Sequence, residues 1–167
     1  MEKQTFLTFL LGQEYFAVNV TKVLEVLEKQ YITKVPKTPP HILGIINFRG
    51  DILPVVDTRL KFNLPSQDLE DKNFVIVFDL STENNKFIIA ATADSVKDVI
   101  EILDNEIKSV PEMGISYNTK FISGAIRRND EFILLLDIDK VFSLSDAESV
   151  QDLAPQETQE TPEKEIA

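Results

Sequence analysis

The sequence predicts an all-β protein built from two tandem five-stranded units, each closed into a small barrel and packed side by side. Three observations carry this expectation. Residues 42–62 (ILGIINFRGDILPVVDTRLKF) recur in outline as residues 122–142 (ISGAIRRNDEFILLLDIDKVF), with Ile42, Gly44, Ile46, Asp57 and Phe62 falling on Ile122, Gly124, Ile126, Asp137 and Phe142. Between Phe6 and Phe142, apolar runs of four to seven residues alternate with clusters of Gly, Asn, Asp and Pro, the punctuation of short strands. Several runs, such as Phe74-Val-Ile-Val-Phe, Phe87-Ile-Ile-Ala-Ala and Phe132-Ile-Leu-Leu-Leu, are apolar at consecutive positions, so both faces of those strands need cover.

In chain order the predicted strands are 5–11, 15–20, 31–35, 44–48, 52–56, 73–79, 86–92, 107–110, 121–127 and 132–137. The repeat extends upstream: Phe6-Leu-Thr-Phe-Leu-Leu resembles Phe74-Val-Ile-Val-Phe-Asp, Phe16-Ala-Val-Asn-Val-Thr resembles Phe87-Ile-Ile-Ala-Ala-Thr, and Val23-Leu-Glu-Val-Leu resembles Val96-Lys-Asp-Val-Ile. The expected units are therefore 5–70 and 71–142 within a folded region of 1–145. Closure into barrels removes open edges. A barrel this small hides one face of each strand, and the outer face must meet the sister copy, a partner protein, or both. Helical turns are expected after Thr38, with Pro39 at the first position and Gly44 as the exit, and between Thr119 and Gly124 in the second copy. Asp57 and Asp137 end the two late hairpins and read as caps before any catalytic role.

Composition narrows the function. An apolar fraction of 43% over 167 residues suffices for a core. Absence of cysteine excludes disulfides, zinc-thiolate sites and thiol nucleophiles and fits a reducing compartment. The first residues show neither a signal peptide nor a spanning helix, so the cytoplasm is the expected location. Of the net charge of −11, the segment from Ser143 onward, with seven acids against Lys164, holds −6 and the body −5. Residues 151–165 have almost nothing apolar to bury and two prolines, and residues 146–167 read as a disordered acidic tail. A negative body argues against nucleic acid and anionic lipid, leaving proteins as the expected partners.

The copies differ where the repeat does not dictate the residue. The second hairpin turn, Asn129-Asp130, is a pair tolerant of positive φ; the first reads Arg49-Gly50, where Gly50 meets the steric demand and Arg49 adds a planar fork of donors suited to carboxylates and common at contact centres. The bland alternative is a solvated arginine on a turn. Phe48, opposite Arg128 in the repeat, is expected to show an apolar side chain at the hairpin tip. Glu25, whose counterpart Asp98 keeps the charge, is a second candidate, with the wet side of a short amphipathic segment as the neutral reading; Val23 and Val26 read as core. His41 is the only histidine, and no spacing of His, Asp or Glu forms a metal cage or triad, so neither metal nor cofactor nor catalysis is expected. The scattered glycines form no phosphate loop.

Read together, Thr38-Pro-Pro-His-Ile-Leu-Gly-Ile-Ile-Asn-Phe-Arg-Gly-Asp-Ile-Leu-Pro-Val-Val-Asp-Thr-Arg closely resembles the signature of the bacterial chemotaxis coupling protein family, CheW. That pattern runs Thr-Pro, a Gly four residues on, Asn-Leu-Arg-Gly, a Pro and Asp-Leu-Arg; Phe48 and Thr58 are mild departures. The resemblance covers residues 6–142 and includes Lys22-Val-Leu-Glu-Val and Phe121-Ile-Ser-Gly. It implies SH3-like barrels, no enzymatic activity, and a bridge between chemoreceptor cytoplasmic tips and the regulatory domain of the histidine kinase CheA, at receptor arrays on the inner membrane. It also implies that Arg49 and Gly50 belong to the contact turn, that Glu25, Val23 and Gly44 match positions implicated in coupling, and that Glu25 pairs with Arg49. A kinase or the receiver-bearing adaptor CheV needs further domains than 167 residues hold. Two other readings stand beside this one: an adaptor of a non-motility chemosensory array, and a small carboxylate hydrolase or sugar-binding β-domain using Asp57 or Asp137.

Overall fold

The computed structural model describes residues 2–62, 74–108 and 121–142. Ten strands and two short helices follow one another: β1 (Lys3–Leu11), β2 (Glu14–Asn19), β3 (Val23–Glu28), β4 (Ile42–Phe48), β5 (Asp51–Val56), α1 (Thr58–Lys61), β6 (Phe74–Asp79), β7 (Ile88–Ala93), β8 (Ser95–Leu103), β9 (Ile122–Arg128), β10 (Glu131–Leu136) and α2 (Ile138–Val141). They form two five-stranded sheets, ordered β8-β1-β2-β10-β9 and β3-β6-β7-β5-β4. The all-β expectation and the two five-stranded units hold.

The tandem division does not. Under the repeat, β1 to β5 correspond to β6 to β10, and each sheet takes its first two strands from one copy and its last three from the other. Residues 5–70 and 71–142 are thus two copies of one sequence unit but not two barrels. The crossings are short: the 3-10 turn Val20–Lys22 carries the chain from β2 to β3 in the other sheet, and Asp94 alone separates β7 from β8. Strand order within each sheet is the same whether a unit pairs with itself or with its sister, which is why the sequence pattern did not separate the two.

Both sheets curl shut in the same way. Past β3, Thr33 exchanges backbone hydrogen bonds of 3.0 and 2.8 Å with Ile45 of β4 at the far edge. Past β8, Lys108 does the same with Ala125 of β9, at 2.8 and 2.9 Å. The repeated glycines sit at these closures rather than at helix exits. A Cβ on Gly44 would lie 2.1 Å from the Thr33 carbonyl oxygen, and one on Gly124 would lie 2.6 Å from Ile107 Cγ2 and 3.1 Å from the Lys108 oxygen. The obstacle at Gly44 is backbone, whereas the nearest one at Gly124 is the end of a side chain. Gly44→Ala is therefore expected to cost about 1–3 kcal/mol, and more than Gly124→Ala, in urea denaturation; the reverse order would contradict this closure.

Helical turns occur elsewhere than expected. The chain at 36–41 turns without forming a helix, and the Thr119 turn lies outside the described residues, as do the tail and positions 109–110. The helices follow Asp57 and Asp137 instead. Asp57, wholly buried, accepts from the N–H groups of Arg59 and Leu60 and caps α1. Asp137 occupies the same place before α2, but its carboxylate makes no cap bond and lies 3.7 Å from Lys140. Two strands were not anticipated, β3 and β8. Each carries or faces a register shift, between Val23 and Glu25 in one and opposite Leu7 and Phe9 in the other, which breaks the alternation that marks a strand. Among the described residues, the segments 31–35 and 107–108 contribute the single bridges at Thr33 and Lys108.

The doubly apolar strands divide their side chains between two cores. Val75 and Val77 of β6 join Ile46, Phe48, Leu53 and Val55 inside one barrel, while Ile76 and Phe78 face the other sheet. Ile133 and Leu135 of β10 fill the second barrel with Phe6, Ala17, Ile102 and Ile126, while Leu134 and Leu136 face back. The sister barrel thus supplies the cover that the sequence demanded. Rings of Phe9, Phe16 and Phe62 stack through this central layer with centroids 6.0 and 5.3 Å apart. One ion pair reinforces it: Arg59 of α1, only 9% exposed, grips Asp94 through Nε and Nη2, and the same carboxylate accepts from the Gly12 N–H of the β1–β2 turn at 2.6 Å. Asp94 thereby ties α1, behind one sheet, to a hairpin of the other.

Candidate functional site

The β4–β5 hairpin ends in a two-residue turn with φ of 53° at Arg49 and 87° at Gly50, and the β9–β10 turn has 51° and 66° at Asn129 and Asp130. Both central residues take the left-handed region, as tight hairpin turns of this kind require. This corrects the expectation that glycine alone carries the steric demand. Asn129 and Asp130 tolerate the conformation; an arginine there costs on the order of 1 kcal/mol.

Arg49 is held by two neighbours. Its Nη2 donates to Glu25 of β3, and its guanidinium lies over the Phe48 ring, 4.6 Å from the centroid. Glu25 reaches it because β3 and β4 are the two outer strands of their sheet, brought together by closure, with the irregular register after Val23 re-aiming the side chain. Gly50 N–H donates to Asn47 Oδ1 at 3.1 Å, which pins the turn from below. The side chains of Arg49 and Glu25 are 63% and 37% exposed, so the pair is worth about 0–1 kcal/mol. An exposed cation–π contact adds about 0.5–1 kcal/mol. These gains and the backbone cost nearly cancel. Stability gives no reason for an arginine here.

The sister tip is built otherwise. Arg128, the repeat counterpart of Phe48, donates to the Glu101 carbonyl at 2.8 Å, and Arg127 lies 3.5 Å from Asp130. Arg127 also lies 5.9 Å from the centroid of the Phe132 ring and Arg128 lies 4.0 Å from Glu106, so acid, ring and arginine recur at that tip, but on the strands, with Asn129 and Asp130 rather than an arginine at the positive-φ turn.

Of the six residues singled out, the structure brings Arg49, Gly50, Glu25 and Phe48 together. Phe48 is not shown at the tip as expected: it is 7% exposed, inside the barrel, with the guanidinium as its lid. Gly44 lies in β4 at the closure, and Val23, half-buried, packs against the central core beside Val26. Sequence reasoning missed the Arg59–Asp94 pair, whose partners are 35 positions apart and carry no pattern. It also missed Tyr31, 87% exposed on the connection from β3 to β4. Asp79, at the end of β6, has its carboxyl held below its ordinary range, chiefly by hydrogen bonds from Ser81, and closes a turn. Among the described residues, no three His, Asp or Glu side chains gather as a metal site would need, and no helix is long and apolar enough to cross a membrane.

Fold and tip define a class, a two-barrel β module that displays a positioned arginine on one hairpin. The chain belongs to the CheW family: the model of the CheW-like domain matches residues 5–146. It is 28% identical over 151 residues to the chemotaxis protein CheW of Klebsiella aerogenes, covering 90% of this chain and 89% of that one. It is 29% identical over 153 residues to CheW of Bacillus subtilis, covering 91% and 93%. The crystal structure of the scaffolding protein TtCheW from Thermoanaerobacter tengcongensis is similar with a TM-score of 0.73 at 28% identity, covering 87% of this chain and 92% of that one.

Proposed function

We propose that this chain is a non-catalytic chemotaxis adaptor that holds chemoreceptor tips and the regulatory domain of the histidine kinase CheA in one assembly, in the cytoplasm against the receptor array. Family membership and the scaffolding relative support the class. The observation that carries the site is Arg49, kept in a backbone conformation that disfavours it and braced by Glu25 and Phe48 with its side chain still 63% exposed. An exposed guanidinium suits a carboxylate or carbonyl on a partner. The interlaced barrels supply what an adaptor needs, two outer surfaces in fixed relation, because neither barrel can form without strands of both copies.

The purified chain is expected to retain the kinase regulatory domain and a receptor-tip fragment on affinity resin, and Glu25→Ala is expected to weaken retention less than Arg49→Glu, since Glu25 only orients the guanidinium. Equal loss from both, or retention of neither fragment by the wild-type chain, would overturn this reading.

A further inference from the structure

We infer that the acidic segment 146–157 of this chain docks in cis on the surface formed by residues 29–50. This chain has 28 Asp and Glu residues, yet from Lys29 to Gly50 there is none, while Lys29, Lys34 and Lys37 lie there, all exposed, with Arg49, which Glu25 already engages, at the end of the stretch. That stretch is bounded by Glu28 and Asp51, so the absence of acids coincides with the β3–β4 connection and the β4 strand. Over the same surface runs an open groove of about 340 Å³, lined by Gln30, Tyr31, Thr33, Ile45, Asn47 and Ile52. Tyr31 and Ile52 are among the exposed large apolar side chains.

The segment fits in charge, composition and reach. Asp146, Glu148, Asp152 and Glu157 oppose the lysines, and Val150 and Leu153 are the large apolar side chains between them. Its path begins nearby, for α2 touches the start of β3 through Lys22 and Asp139, 3.2 Å apart. From Lys22 to Tyr31 the chain spans at most about 30 Å, and the residues from Phe142 to Leu153 extend to about 35–40 Å. Tethering raises the effective concentration of such a segment to the millimolar range, so a weak, salt-sensitive contact is populated. Asn47 lines the groove and pins the Arg49 turn, so a docked segment stands where the proposed partners approach and must be displaced by them. That consequence rests on the coupling function; the docking itself does not.

The absence of cysteine allows a clean test. A nitroxide on Ala154→Cys in the full chain is expected to cause selective loss of amide signal at residues 30–33, 45–47 and 52. The loss should disappear at high salt and in the same chain carrying Lys29→Glu, Lys34→Glu and Lys37→Glu. Uniform or absent broadening, broadening confined to another face, or groove broadening that survives the three reversals would each overturn the inference. Mixing spin-labelled chain with isotope-labelled, spin-free chain separates a second copy as occupant: the same broadening in that mixture would also overturn it. No partner enters this experiment, so its failure is distinct from a failed retention of kinase or receptor fragments.

Discussion

Arg59→Leu is expected to lower the unfolding free energy by about 3–5 kcal/mol, the cost of removing one member of a buried ion pair. The leucine fills part of the space but takes the guanidinium away from the Asp94 carboxylate, 19% exposed, which also accepts from the Gly12 N–H. In a chain of this size each kcal/mol shifts the melting temperature by about 2–4 °C, so a drop near 10 °C follows. The effect reaches both barrels together, because Asp94 lies between β7 of one sheet and β8 of the other and its backbone N–H bonds Leu10 of β1 at 3.0 Å. Urea unfolding followed by near-ultraviolet and far-ultraviolet signals checks this. A loss below about 1 kcal/mol would show that the pair behaves as a surface contact.

Arg49→Gly is the second large effect, and it separates function from stability. Glycine takes positive φ without penalty, so the variant should melt at or above the wild-type temperature despite losing the contacts to Glu25 and Phe48. Receptor-dependent control of the kinase should nevertheless be lost, since the exposed guanidinium is gone. Arg49→Glu should lose control as well, and should add repulsion with Glu25 that costs about 0.5 kcal/mol or less at such exposure. A residue retained for folding would show the opposite pattern, with glycine destabilising and control preserved.

Much of this was legible in the sequence because a duplicated chain marks its own constants. Ile46 and Ile126, Asp57 and Asp137, and Phe62 and Phe142 recur since the same geometry is built twice, and the odd residue at the turn, Arg49, stood out against that background. The two-sided strands announced a second packing surface, which the central core fills. Repetition also hid the pairing. Val75 and Ile76 alternate between two cores whichever copy supplies the neighbouring strand, so nothing in the periodicity distinguished tandem barrels from interlaced ones. Gly44 fits a helix exit locally because it follows a Thr-Pro start; its actual cause, the Thr33 carbonyl 2.1 Å from where a Cβ would sit, is a contact across a closed sheet. Its place next to the turn suggests Phe48 on the outside, whereas strand alternation sends it in with Ile46 and leaves Asn47 facing out. The Arg59–Asp94 pair depends wholly on the interlacing and left no local trace.

The most direct measurement is a reconstituted assay of kinase autophosphorylation with receptor, CheA and this chain, comparing wild type with Arg49→Gly at matched folded concentration. The account predicts receptor-dependent stimulation or inhibition with wild type and none with the variant, alongside an unchanged or higher melting temperature. Full control by the variant would contradict it.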